Sequence, residues 1–192
     1  MKDLAKGLIA PVFLFLLLFL AGWLVIDQAA STATILDPAV TAGPSSDGGG
    51  SDPFAIDAVG PNDGQIQLYL ANIADGLFQW IIIITAAGAL CTILWFLMAT
   101  LVQRKVVGPA GQSDAFVHWV GALLGYLVIC AGAYFAVIEP LNVDEFMDDA
   151  IFWGFVGSSA IIGAFVYWLA TSIAASPVMK PSVPFAARLW RY

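Results

Sequence analysis

The sequence predicts an all-α integral membrane protein with four transmembrane helices, both termini inside, and a long, partly disordered outer loop. Three observations predict it. Of 192 residues, 60% are AVILMFWYC and only 11% are charged, at a mean hydropathy of +0.88. A soluble domain is about half apolar and about a quarter charged, and disorder needs low hydrophobicity with high net charge, so both classes are excluded. Four runs of roughly membrane-spanning length contain no Asp, Glu, Lys or Arg. The charges between those runs alternate in sign from one side to the other.

Residues 1–7 form a short basic start with Lys2 and Lys6. Residues 8–26 are the first span, close to the about 20 apolar residues a bilayer requires. It reads as an uncleaved anchor. A cleaved signal peptide is the alternative, since Ser31-Thr32-Ala33 fits a small-x-small site. Signal cores, however, run about 7–15 residues, shorter than this one. Residues 27–77 are an acidic outer loop. Within it, 41–53 is a Gly/Ser/Asp/Pro linker expected to be flexible. Pro61-Asn62-Asp63-Gly64 marks a turn or helix start. Residues 65–77 carry Ile66, Leu70, Ile73 and Leu77 at helical spacing. That segment either lies on the outer surface as a docking helix or extends the second span.

The second span is 78–102, the third 117–138 and the fourth 151–175. Soluble helices rarely stay apolar on every face over such lengths. The 103–116 loop carries Arg104 and Lys105, and the 176–192 tail carries Lys180, Arg188 and Arg191. All seven basic residues therefore lie on one side, which the positive-inside rule assigns to the cytoplasm. The opposite side, 27–77 and 139–150, holds twelve of the fourteen acids. This orientation suits a bacterial cytoplasmic membrane crossed several times. Trp23, Trp80 and Trp153 fall near outer ends, Trp119 and Trp168 near inner ends, where amphipathic rings prefer the headgroup zone. Trp95 lies deeper and is assigned to packing.

Candidate chemistry is sparse. His118 is the sole histidine and cannot supply a metal site or paired haem ligands by itself. Gly157-Ser158-Ser159 has the look of an intramembrane serine nucleophile, but Ser158 and His118 belong to opposite ends of their spans, roughly 20 Å apart in depth at 1.5 Å per residue. Cys91 and Cys130 fall inside apolar runs and read as small apolar residues. Lone carboxylates and bases inside spans mark ion paths, and apart from His118 at the edge of the third the spans have none. No catalytic, cofactor-binding or metal-ligating set is expected, and no cofactor is implied.

Three interaction features remain. Gly121, Gly125 and Gly132 in the third span, and Gly154, Ser158 and Gly163 in the fourth, stand at small-x-x-x-small spacings that let membrane helices approach closely. The spacing does not say whether the partner helix belongs to this chain or another. Asp144, Glu145, Asp148 and Asp149 form an outer acidic patch, either solvated surface near the fourth helix start or a dock for a basic periplasmic partner such as a cytochrome c. Arg188, Trp190 and Arg191 form an inner membrane-surface anchor. The expected function is a non-catalytic integral subunit packed within a larger inner-membrane complex, of the secretion/conjugation or the respiratory/photosynthetic kind. Its expected partners are other membrane subunits and lipid. Nucleic acid is excluded by the formal charge of −7. The alternative is a small homo-oligomeric channel or transporter, and a membrane enzyme ranks last.

Overall fold

The computed structural model describes residues 2–31, 63–105, 109–141 and 149–186. Among them all regular structure is helical, with no strand. Four helices are long and apolar enough to cross a membrane. They are α1 (Lys2–Ser31), α2 (Asp63–Lys105), α3 (Pro109–Ala133) and α4 (Asp149–Ala174). The linker 41–53, Pro61, Asn62, Thr32 and Ala33 lie outside the described residues.

Residues 65–77 and the second apolar run form one unbroken helix, α2, beginning at Asp63. The segment extends the span because Ile73, Ala74 and Leu77 are buried in the bundle. The third apolar stretch also runs further than its hydropathy predicts, to Leu141, through a π-helical turn (Tyr134–Ile138) and a 3-10 turn (Glu139–Leu141). In the π-turn the Glu139 N–H donates to the Tyr134 carbonyl. The widening falls just before Pro140. A proline ring has no N–H to give and collides with the carbonyl four residues back in a regular α-helix.

α2 is the hub and touches α1, α3 and α4. Half of its apolar window is buried, against 22% for α1 and for α3. The α1–α2 seam is antiparallel and works by large residues entering gaps over glycine. Phe96 sits on Gly7, Phe15 on Gly88 and Ile81 on Gly22. A Cβ on Gly22 would lie 2.6 Å from Ile81 Cγ1, a distance that real carbon contacts do not reach. Phe15 and Ile81 are almost fully buried, so these glycines hold the seam by absence of a side chain. Pro11 stands inside α1, which membrane helices tolerate where neighbours compensate the lost backbone bond.

After α4 the chain does not leave the bundle. Ala175, Met179, Val183 and Ala186 are buried, and a 3-10 turn (Lys180–Ser182) packs against α3. Pro177, Pro181 and Pro184 prevent a continuous helix here. Met179 N–H and Lys180 N–H both donate to the Ser176 carbonyl, which folds the segment back on itself. Trp168 Nε1 donates to the Pro184 carbonyl at 2.7 Å and ties the returning tail to α4.

Candidate functional site

The polar atoms of the apolar slab are spent on holding the helices together. Trp80 Nε1 on α2 donates to Ser159 Oγ on α4 at 2.9 Å, and Ser159 Oγ donates in turn to the Val156 carbonyl at 2.9 Å. Near the other end Trp119 Nε1 on α3 donates to Thr171 Oγ1 on α4 at 3.0 Å, and Tyr167 Oη returns a bond to the Trp119 carbonyl at 3.0 Å. Trp95, given no partner by sequence reasoning, donates from Nε1 to the Ala115 carbonyl at 3.1 Å and so joins α2 to α3. Each indole is amphipathic, and burying its N–H without an acceptor would cost about 1–3 kcal/mol. These bonds therefore fix helix rotation as well as proximity.

Several serine and threonine hydroxyls close on their own helices. Thr85 donates to the Ile81 carbonyl, Thr92 to Gly88, Thr100 to Phe96 and Ser172 to Trp168. Ser158, exposed, donates to the Phe155 carbonyl at 3.1 Å. His118 Nδ1 lies 2.7 Å from the Asp114 carbonyl one turn back, where it serves as a donor. The register that sets Tyr126 against Gly163 places Ser158 and His118 about 20 Å apart along the bundle, so no nucleophile–base pair exists between them. Cys91 and Cys130 are buried and unbridged. Among the described residues no three metal-binding side chains come together.

The six predicted packing positions divide. Gly163 is packed within the chain: the Tyr126 ring tip rests on it, where a Cβ would stand. Gly121, Gly125, Gly132 and Gly154 are not, and neither is Gly157: a Cβ added at any of them meets nothing. Ser158 is exposed on the same side of α4 as Gly154. The reason is rotational. α3 turns Ala115, Trp119, Tyr126, Cys130 and Ala133 inward, so Gly121, Gly125 and Gly132 fall on the outward face. The inward glycines Gly7, Gly22 and Gly76 went unnoticed in the sequence because each is isolated, with no small residue four positions away to draw attention.

The predicted acidic patch and inner anchor fall largely outside the described residues, which exclude Asp144, Glu145, Asp148, Arg188, Trp190 and Arg191. Asp149 is the first residue of α4.

One depression is built into the end of the bundle where α1 finishes and the π-turn lies. It is a groove of about 350 Å³ between α2 and the π and 3-10 turns that follow α3. Asn72, Asp75 and Gln79 line one wall, and Val137 and Leu141 the other. Gln79 Nε2 donates to Asp75 Oδ2 at 3.2 Å. Leu141 closes over Gly76 so tightly that a Cβ there would lie 2.5 Å from its Cδ1. Comparison with protein families, with characterised proteins and with solved structures gives no match.

Proposed function

We propose that this chain is a non-catalytic integral subunit of a larger complex in a bacterial cytoplasmic membrane, with its termini and residues 103–116 inside. The complex is of the secretion/conjugation or respiratory/photosynthetic kind. The observation that carries the reading is the outward glycine face. Gly121, Gly125 and Gly132 on α3, and Gly154 and Gly157 on α4, open onto space no part of the described chain fills. Glycine weakens a helix by about 0.5–1 kcal/mol relative to alanine, and a lipid-facing position gains nothing from it. Close approach of another helix does gain from it. The seven basic residues on one side support the orientation. No observation favours the channel reading: Thr85, Thr92, Ser159, Thr171 and Ser172 are buried and bonded within the bundle rather than aligned along a pore.

The test is copurification from native membranes in mild detergent, with wild type beside Gly121→Leu/Gly125→Leu. Space at both positions means the double variant keeps its own fold. Stable partner chains on the wild type, lost from the variant while its helicity and thermal stability persist, are expected. A wild-type protein that runs as a single chain, or a variant that keeps every partner, overturns the proposal.

A further inference from the structure

The groove beside the π-turn has two chemically different walls. Asn72, Asp75 and Gln79 stand three and four residues apart, on one face of α2. Opposite them are Val137 and Leu141, with Ile73 at the floor. The volume of about 350 Å³ falls within the range of small-molecule sites, about 300–1,000 Å³. Its shape is built rather than accidental. Gly76 lets Leu141 press onto α2, and the π-turn carries the chain outward just before that contact. Single π-turns inside α-helices are frequent at functional sites.

The polar wall offers acceptors. A carboxylate only accepts, and an amide carbonyl accepts through two lone pairs. The Gln79–Asp75 bond uses the Gln79 amide nitrogen and one side of the carboxylate. What the wall then offers a cationic donor, beside the amide N–H groups of Asn72 and the one Gln79 N–H that the bond to Asp75 leaves over, is the other Asp75 oxygen, the Gln79 carbonyl and the Asn72 carbonyl. No described basic residue competes for them: at this end of the described bundle the formal charges are Asp27, Asp63, Asp75, Glu139 and Asp149, all acidic, and all seven Lys and Arg lie elsewhere in the chain. A matching ligand brings its own positive charge and its own donors. A primary ammonium has three donors and no acceptor. A quaternary ammonium has no N–H and is held by aromatic faces instead, and among the described residues no ring lines this groove.

The apolar surroundings select the source of the amine. Asp75 lies within the long apolar stretch of α2, Leu70–Leu101. Trp80 follows five residues further in. Past the groove, Phe135 (67% exposed) and Ile82 (51% exposed) continue the apolar wall as outward-facing surface. A headgroup in the groove would therefore have room for its acyl chain along the same side of the bundle.

We propose that the groove binds a phospholipid through a primary ammonium headgroup, of the phosphoethanolamine kind, with the ammonium held by Asp75, Gln79 and Asn72 and the lipid body against Val137 and Leu141.

The experiment uses the full chain in detergent micelles, loaded with phosphatidylethanolamine, its mono-, di- and trimethylated series, or phosphatidylglycerol, and read by native mass spectrometry. Retention is expected to fall as methyl groups replace N–H donors, about five-fold from the primary to the quaternary amine. Asp75→Asn, isosteric and exposed, is expected to erase that preference while leaving helicity unchanged. Asp27→Asn, which removes an acid at the same end but outside the groove, is expected to leave it intact. Equal retention of the whole series overturns the proposal, as does loss of preference with Asp27→Asn, which would assign it to general surface charge. Displacement of the lipid by millimolar free ethanolamine or spermidine would assign the site to a soluble amine and overturn the lipid assignment.

Discussion

Gly163→Ala and Gly125→Ala are the same chemical change, one methyl group, on two apolar helices of one bundle. The structure predicts opposite outcomes. At Gly163 the new Cβ would occupy the position of the Tyr126 ring tip. Tyr126 is fully buried and cannot swing aside, so either the ring or the α3–α4 spacing must give. Overpacking of a tight core costs about 1–3 kcal/mol. At Gly125 the Cβ meets nothing, and alanine gains up to about 1 kcal/mol of helix propensity. The two variants should therefore differ by about 1–4 kcal/mol. Tyr126 supplies a second arm. Its Oη is buried without a hydrogen-bond partner, so Tyr126→Phe removes a polar group that gains nothing from its place, and the cost of that change is small. It also removes the atom nearest the new methyl; the next, the ring Cζ, stands 3.1 Å away. The double variant should recover much of the loss, giving a coupling of about 1 kcal/mol or more, the size expected for touching residues. Reversible unfolding in mixed micelles, followed by helicity, measures all four proteins. Equal stability of Gly163→Ala and Gly125→Ala, or additive effects of the Gly163 and Tyr126 changes, would refute the packing.

Two other outcomes follow from the same architecture. Ser159→Ala strands the Trp80 indole N–H in the buried α2–α4 seam and should cost about 1–3 kcal/mol; Trp80→Phe/Ser159→Ala should show strong coupling in the same unfolding assay. Cys91 and Cys130 are free and buried, so a bulky maleimide should label neither in the folded protein and both after denaturation in SDS; fast labelling of the folded state would count against their placement.

What the sequence made legible, and what it hid, follows from the two kinds of pattern involved. Span existence depends on summed hydropathy, and four apolar helices are what that sum predicts. Helix rotation depends on which face is inward, and all-apolar spans carry almost no periodic contrast to mark it. Gly121, Gly125 and Gly132 have the spacing of a packed seam yet face away, because Trp119 takes the inner face through its bonds with Thr171 and Tyr167, and Tyr126 takes it by packing on Gly163. Those hydrogen bonds join residues 48 and 52 positions apart, and no local pattern encodes such pairs. The length of the third span was underestimated for a different reason. Glu139 and Pro140 look like a stop signal, and the π-turn carries the chain through them into the 3-10 turn that closes the groove. The returning segment after α4 was hidden by its prolines. They correctly exclude a long helix, but Met179 and Val183 pack through turns instead.

The two glycine populations bear on each other. Gly7, Gly22, Gly76, Gly88 and Gly163 each receive a side chain of this chain, and each would clash if it were alanine. In this protein an inward glycine thus marks a contact closer than a methyl group permits. The outward glycines have the same chemistry without the contact. A bundle that uses glycine for its close contacts between α1 and α2 and between α3 and α4 gives physical reason to expect helices from elsewhere over Gly121, Gly125, Gly132, Gly154 and Gly157. The face of α1 behaves differently. Val12, Phe13, Leu16, Leu17 and Leu20 are exposed there with no glycine among them, whereas the exposed Leu124, Val128 and Ile161 of α3 and α4 stand beside glycine gaps. The proposed partner contact therefore lies on the α3 and α4 sides of the bundle rather than on α1. Leucine at Gly121 and Gly125 should cost association, whereas exchanging Leu16 and Leu17 for other large apolar residues should leave it unchanged.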